Sequence, residues 1–133
     1  MVAPEVEPLV LVVDDYDDAR EMYAESLTVS GFRVAQAADG LRAVELAQEL
    51  APDVILMDLS LPGLDGWEAT RRIKADARTS HIPIVALSGH AMSNALERAR
   101  QAGCDGFVVK PALPDEVIAE VRQAMIKKSS TVG

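Results

Sequence analysis

Five polar side chains stand at the ends of short apolar runs, and their types suit one kind of chemistry. Leu9–Val13 (LVLVV) leads into Asp14 and Asp15, and Val54–Met57 (VILM) into Asp58. Ile84–Leu87 (IVAL) leads into Ser88, and Phe107–Val109 (FVV) into Lys110. A carboxylate can attack phosphorus and form an acyl phosphate. Adjacent carboxylates are a hard oxygen set of the kind magnesium takes, usually one or two carboxylates with waters and a phosphate. An ammonium and a hydroxyl can meet the negative charge of a transferring phosphoryl group. Each residue also has a plain reading: Asp14 or Asp15 as a helix cap, Ser88 as another, Lys110 as a surface lysine. Three carboxylates brought together without a cation would repel one another.

The elements around these residues say why they should meet. Short, uniformly apolar, β-branched runs read as strands buried on both faces of a parallel sheet. In open parallel sheets, sites form outside the carboxyl ends of the strands. Helices are expected over residues 16–30, after Asp39 up to Pro52, from about Trp67 to Ala77, over 91–102, and from Pro114 onward. Strands are expected at Leu9–Val13, Phe32–Ala37, Asp53–Asp58, Ile82–Leu87 and Gly106–Val109. The order is strand then helix, five times over. Right-handed crossovers then give a doubly wound α/β fold, a five-stranded parallel sheet with five helices on its two faces. Periodicity leaves two strand orders open. The glycines and Pro62 in Ser60–Gly66 (SLPGLDG) read as turn chemistry.

Composition narrows the function classes. The chain of 133 residues is read as one domain over 9–127, with a loose leader at 1–8 and a polar tail at 128–133. Its net charge of −8 argues against non-specific nucleic-acid binding. Residues 1–70 hold three bases against fifteen acids, whereas 71–133 hold ten bases against six acids. The single cysteine, Cys104, excludes an intrachain disulfide and fits a reducing, cytoplasmic setting. No apolar stretch suggests a signal peptide or a membrane span.

At this point the residues resemble a family. LVVDD, MDLSLPGLDG, ALSGHAM and AGCDGFVVKP together resemble the receiver domain of bacterial response regulators, over nearly the whole chain. The resemblance implies a flavodoxin-like sheet of order 2-1-3-4-5. It implies Asp58 as phosphoacceptor, and a magnesium ion held by Asp14, Asp15, Asp58 and the backbone carbonyl of Ser60. It implies Ser88 as the switch hydroxyl, Lys110 as the phosphate-binding lysine with a cis bond to Pro111, and Phe107 as the aromatic switch. It places Ser60 and His90 beside the path of the water that removes the phosphoryl group. The partners implied are a histidine kinase or histidine phosphotransfer protein, with an unidentified output protein and no nucleic acid or membrane. Phe107 lacks the hydroxyl of the commoner tyrosine, and Gly89 stands where alanine is frequent. The stretch resembles phosphorelay, cell-cycle or hybrid-kinase receivers more than the chemotaxis regulator. The expectation is a stand-alone phosphorylation switch and not a turnover enzyme, the alternative being a relay that passes the phosphoryl group on. A flavodoxin-like electron carrier fits poorly, because DDYDD after the first strand would repel a phosphate. A hydrolase with Asp14 as nucleophile would leave Asp58 surplus, and a degenerate scaffold would have no use for the full set.

Overall fold

A computed structural model describes residues 7–61, 63–89 and 95–130. The elements run β1 (Leu9–Val13), α1 (Asp17–Val29), β2 (Arg33–Ala37), α2 (Gly40–Leu50), β3 (Val54–Asp58), α3 (Gly66–Ala75), β4 (Ile84–Ser88), α4 (Ala95–Ala102), β5 (Gly106–Val109) and α5 (Pro114–Ser130). The five strands form one parallel sheet in the order β2-β1-β3-β4-β5. That is the order the resemblance implied and periodicity left open.

Side chains alternate across a strand, so each strand feeds two cores. Leu11, Val13, Ile55, Met57, Ile84 and Ala86 pack with Ala43 and Leu46 of α2, Ala69 and Ile73 of α3, and Ala99 of α4. Val10, Val12, Val54, Leu56, Val85 and Leu87 pack with Tyr23 and Leu27 of α1 and with Val117 and Val121 of α5. Every residue of β3 and β4 is buried, which explains their unbroken apolar runs. Burying a Leu or Ile fully contributes about 1.5–3 kcal/mol. The alternation also assigns the polar ends. Asp14, Asp58 and Lys110 continue the face of α1 and α5, and Ser88 continues the face of α2, α3 and α4, against which Phe107 packs.

Local chemistry sets the helix ends. Gly31, with φ +98°, turns the chain out of α1. Asp39 caps α2 by accepting from the Arg42 amide at 2.8 Å, and Asp65 caps α3 by accepting from the Glu68 amide at 2.9 Å. The Asp65 cap starts α3 one residue earlier than expected, and the helix closes at Ala75 rather than Ala77. The α2 helix ends on Ala51 in the left-handed region, φ +46°, with Pro52 following. The last helix runs to Ser130, into the stretch read as tail. The first part of the helix expected over 91–102 lies outside the described residues.

Candidate functional site

The carboxyl ends of β1, β3 and β5 bring Asp14, Asp58 and Lys110 into direct contact. Lys110 Nζ donates to Asp14 Oδ2 at 2.8 Å and to Asp58 Oδ2 at 3.1 Å. Residues 52 and 96 positions apart in sequence thus share one ammonium. Asp14 is fully buried and Asp58 is 4% exposed. Asp14 Oδ1 accepts from the Tyr16 amide at 3.0 Å, and Asp58 Oδ1 accepts from the Ser60 amide at 2.8 Å. Asp15 is exposed on the same edge, and one carboxylate oxygen from each of Asp14, Asp15 and Asp58 lies within 4.8 Å of the others. Oxygen donors at that spacing fit a small hard cation.

Burial pushes the Asp58 carboxyl above its ordinary value and the Asp14 charge adds to this, while the Ser60 amide and Lys110 hold it back. Burial works against the Lys110 charge, but its bond to Asp14 and the nearby Asp58 leave it above the ordinary lysine value. The Tyr23 phenol beneath them is raised, chiefly by burial.

Ser88 ends the neighbouring strand, 5% exposed, and its carbonyl accepts from the Lys110 amide at 2.7 Å. The Lys110–Pro111 bond is cis. Phe107 is half-buried and lines a cavity of about 280 Å³ with Arg100, Cys104 and Glu120. Ser60 is exposed directly after the Asp58 strand, and the contact found is its amide. His90, the other residue expected beside the site, lies outside the described residues, as does Pro62.

Two contributors escaped the sequence. Gly66 was read as turn chemistry alone, and that reading is corrected here. A Cβ on Gly66 would overlap the Asp58 carbonyl oxygen and lie 2.6 Å from Leu59 Cα. The start of α3 therefore docks on the backbone of Asp58 and Leu59, an approach only glycine permits. Arg20 is the other. Its guanidinium donates to the Asp14 carbonyl at 2.9 Å. The only sequence signal was a base amid the acids that follow Asp14. Trp67 carries Arg98 over its ring at 4.4 Å, joining α3 to α4.

No described helix is long and apolar enough to cross a membrane. A model of the response regulator receiver domain matches residues 10–122. The polar-differentiation response regulator DivK of Brucella anthropi is 37% identical over 102 residues, 77% of this chain and 83% of that protein. The chemotaxis protein CheY4 of Vibrio cholerae superposes with a TM-score of 0.85 at 28% identity, covering 90% of this chain and 99% of that one. The receiver domain of the sensor histidine kinase PA1611 of Pseudomonas aeruginosa, solved with a magnesium ion in its active-site cleft, is 33% identical with a TM-score of 0.83, covering 90% and 98%. With the sheet order, the acidic cluster and the lysine bridge all in place, the chain belongs to the family of response regulator receiver domains, signalling proteins that work with histidine kinases or phosphotransfer proteins.

Proposed function

We propose that this chain is a switch that accepts a phosphoryl group on Asp58 from a phosphohistidine and signals through protein–protein contacts. The observation that carries the reading is the Lys110 ammonium bridging Asp14 and Asp58 beside the exposed Asp15. An Asp58 carboxylate oxygen attacks phosphorus. The O–P bond forms as the donor's N–P bond breaks, and the bonding pair leaves on the imidazole nitrogen, neutral when the ring keeps a proton on its other nitrogen. The Ser60 amide holds Oδ1 and Lys110 holds Oδ2, so the carboxylate is fixed at both oxygens and the oxygen on the lysine side lies where Lys110 can follow the transferred group. Lys110 then meets the charge on the phosphoryl oxygens, as fixed cationic donors do in such transfers. Asp14, Asp15, Asp58 and the Ser60 carbonyl would hold magnesium, which supplies neutralisation of the phosphoryl charge.

A protein donor suits the surroundings. Beside Lys110 a cleft of about 340 Å³ is walled by Tyr16, Met22, Tyr23 and Pro111. Tyr16 is 63% exposed and the nearby Leu113 is 67% exposed. Exposed apolar groups around a charged centre mark a docking rim. Ser88 and Phe107 serve as the switch: drawing the Ser88 hydroxyl toward the phosphoryl group frees space on the side where Phe107 packs. The net charge of −8 favours a protein as the output partner over a nucleic acid.

Acetyl phosphate with magnesium should add one phosphoryl group to the wild type and none to Asp58→Asn, read by intact-mass spectrometry. Equal adducts on both would defeat the assignment. Ser60 and His90 set the lifetime of the product, Ser60 being too short to shield phosphorus and an imidazole being able to orient water. Loss of the phosphoryl group should therefore respond to His90→Ala and to pH between about 6 and 8, across the ordinary histidine range. Superimposable decay curves would remove His90 from that role.

A further inference from the structure

We infer that Arg20 is the positioning residue that aims Asp15 into the metal cluster, acting through the Asp14–Asp15 peptide and not through its charge. The inference rests on the functional reading above, in which that cluster takes magnesium.

Asp14 is held at every polar atom. Its amide donates to the Ala37 carbonyl at 3.2 Å, and its two carboxylate oxygens accept from Tyr16 and Lys110. Its carbonyl oxygen is gripped by Arg20. Asp15 is the opposite case. It is exposed, and among the described residues no side chain or amide holds its carboxylate. What directs it is the peptide plane from which it springs, and that plane contains the Asp14 carbonyl. One N–H of Arg20 fixes the plane at 2.9 Å.

The guanidinium is itself braced. Its Nε donates to Gln36 Oε1 at 3.0 Å, and its other terminal nitrogen meets Asp17 Oδ1 at 2.8 Å. Gln36 lies on β2, in register with Val12 of β1. Arg20 thus ties the turn after β1 to the neighbouring strand and to the first turn of α1. Its side chain is 14% exposed, so the fork is largely withdrawn from water. Three bonds in three directions need the planar fork, which lysine cannot reproduce.

Charge and position predict opposite signs. Arg20 sets a positive charge against the backbone of Asp14, one of the carboxylates of the cluster, so by Coulomb's law its loss should if anything tighten a dication. If its work is to aim Asp15, its loss should weaken the dication instead. Groups that orient metal ligands are typically worth about 10–100-fold in affinity.

The test is calorimetric titration of the full chain with magnesium chloride, comparing wild type, Arg20→Gln, Arg20→Lys and Gln36→Leu. Magnesium should bind at least about 10-fold more weakly to both Arg20 variants, although Arg20→Lys keeps the charge. Gln36→Leu, which keeps Arg20 and removes only its brace, should weaken binding in the same direction by less. Phosphorylation by acetyl phosphate should show the same split: the shortfall in Arg20→Gln is made up as magnesium is raised, which a general loss of fold would not allow. Equal or tighter binding in Arg20→Gln, or wild-type affinity in Arg20→Lys, overturns the inference. If Arg20→Gln does not fold, Arg20→Lys and Gln36→Leu decide it by the same signs. A wild type that takes no magnesium would instead bring down the functional reading, and the inference with it.

Discussion

Replacing Gly66 with alanine should damage both the fold and the reactivity proposed for Asp58, and the structure gives the size. The added Cβ would overlap the Asp58 carbonyl oxygen and sit 2.6 Å from Leu59 Cα and 2.9 Å from the Asp58 carbonyl carbon. Carbon contacts are comfortable at about 3.5 Å, so α3 and the end of β3 must part by roughly 1 Å. All three obstacles are backbone, so no side chain can swing aside. Overpacking of this kind costs about 1–3 kcal/mol, and the upper end applies. Alanine recovers at most about 1 kcal/mol of helix propensity, leaving a net loss near 2 kcal/mol. For a chain of this length that is a drop of about 7 °C in Tm. A displacement of about 1 Å at the attacking carboxylate can slow its reaction about 100-fold. Gly63→Ala is the control. Nothing lies within 4 Å of its Cβ, and its φ of +67° brings only the left-handed strain. That strain costs about 1 kcal/mol, or about 4 °C. Thermal melts and acetyl phosphate time courses on the two variants check both numbers. Gly66→Ala melting at or above the wild type, or phosphorylated at the wild-type rate, would refute the docking argument.

The buried Asp58 carboxylate opposes folding, since its folded value lies above the unfolded one. Asp58→Asn should therefore stabilise the metal-free protein at neutral pH, raising its urea midpoint above that of the wild type. The gain should fade as pH falls through the folded value and vanish below about 4, where the acid is protonated in both states; urea melts across that range test the sign. Burial raises the Cys104 thiol to about 11. At pH 8 about a thousandth of it is thiolate, so iodoacetamide should label the native protein far more slowly than the unfolded one. Labelling of native Cys104 at the rate of a free thiol would contradict its burial.

The core and the main polar residues of the site could be read from the chain because each depends on short-range pattern. Val54–Met57 is apolar at every position, so it had to be a strand covered on both faces, and Asp58 had to emerge at its carboxyl end. The same holds for Asp14 after β1, while Lys110 follows a short apolar run whose strand, at the edge of the sheet, is only partly buried. What the pattern could not carry was distance between elements. Nothing in the string SLPGLDG says that Gly66 returns to touch the Asp58 backbone, because that contact exists only once α3 has docked. Nor does a lone arginine among acids announce that its fork reaches a carbonyl six residues back and a strand sixteen ahead. The start of α3 moved for a related reason: the Asp65 side chain caps the helix and draws Gly66 into its first turn, one residue before the expected Trp67. The strand order came from likeness to a family, since parallel pairing leaves no mark in a single sequence.

The alternation that divides the strands between two cores has a consequence for how such a chain can change. The reactive groups at the sheet edge are simply the next members of an odd-or-even count begun deep in the core. Inserting or deleting one residue within β3 would turn Asp58 toward the α2–α4 side and offer Met57 or Leu59 in its place, even with every strand still paired. Two residues could be added or removed and the parity would survive. Length variation in these strands is thus expected in steps of two, while the loops beyond the edge are free of that arithmetic.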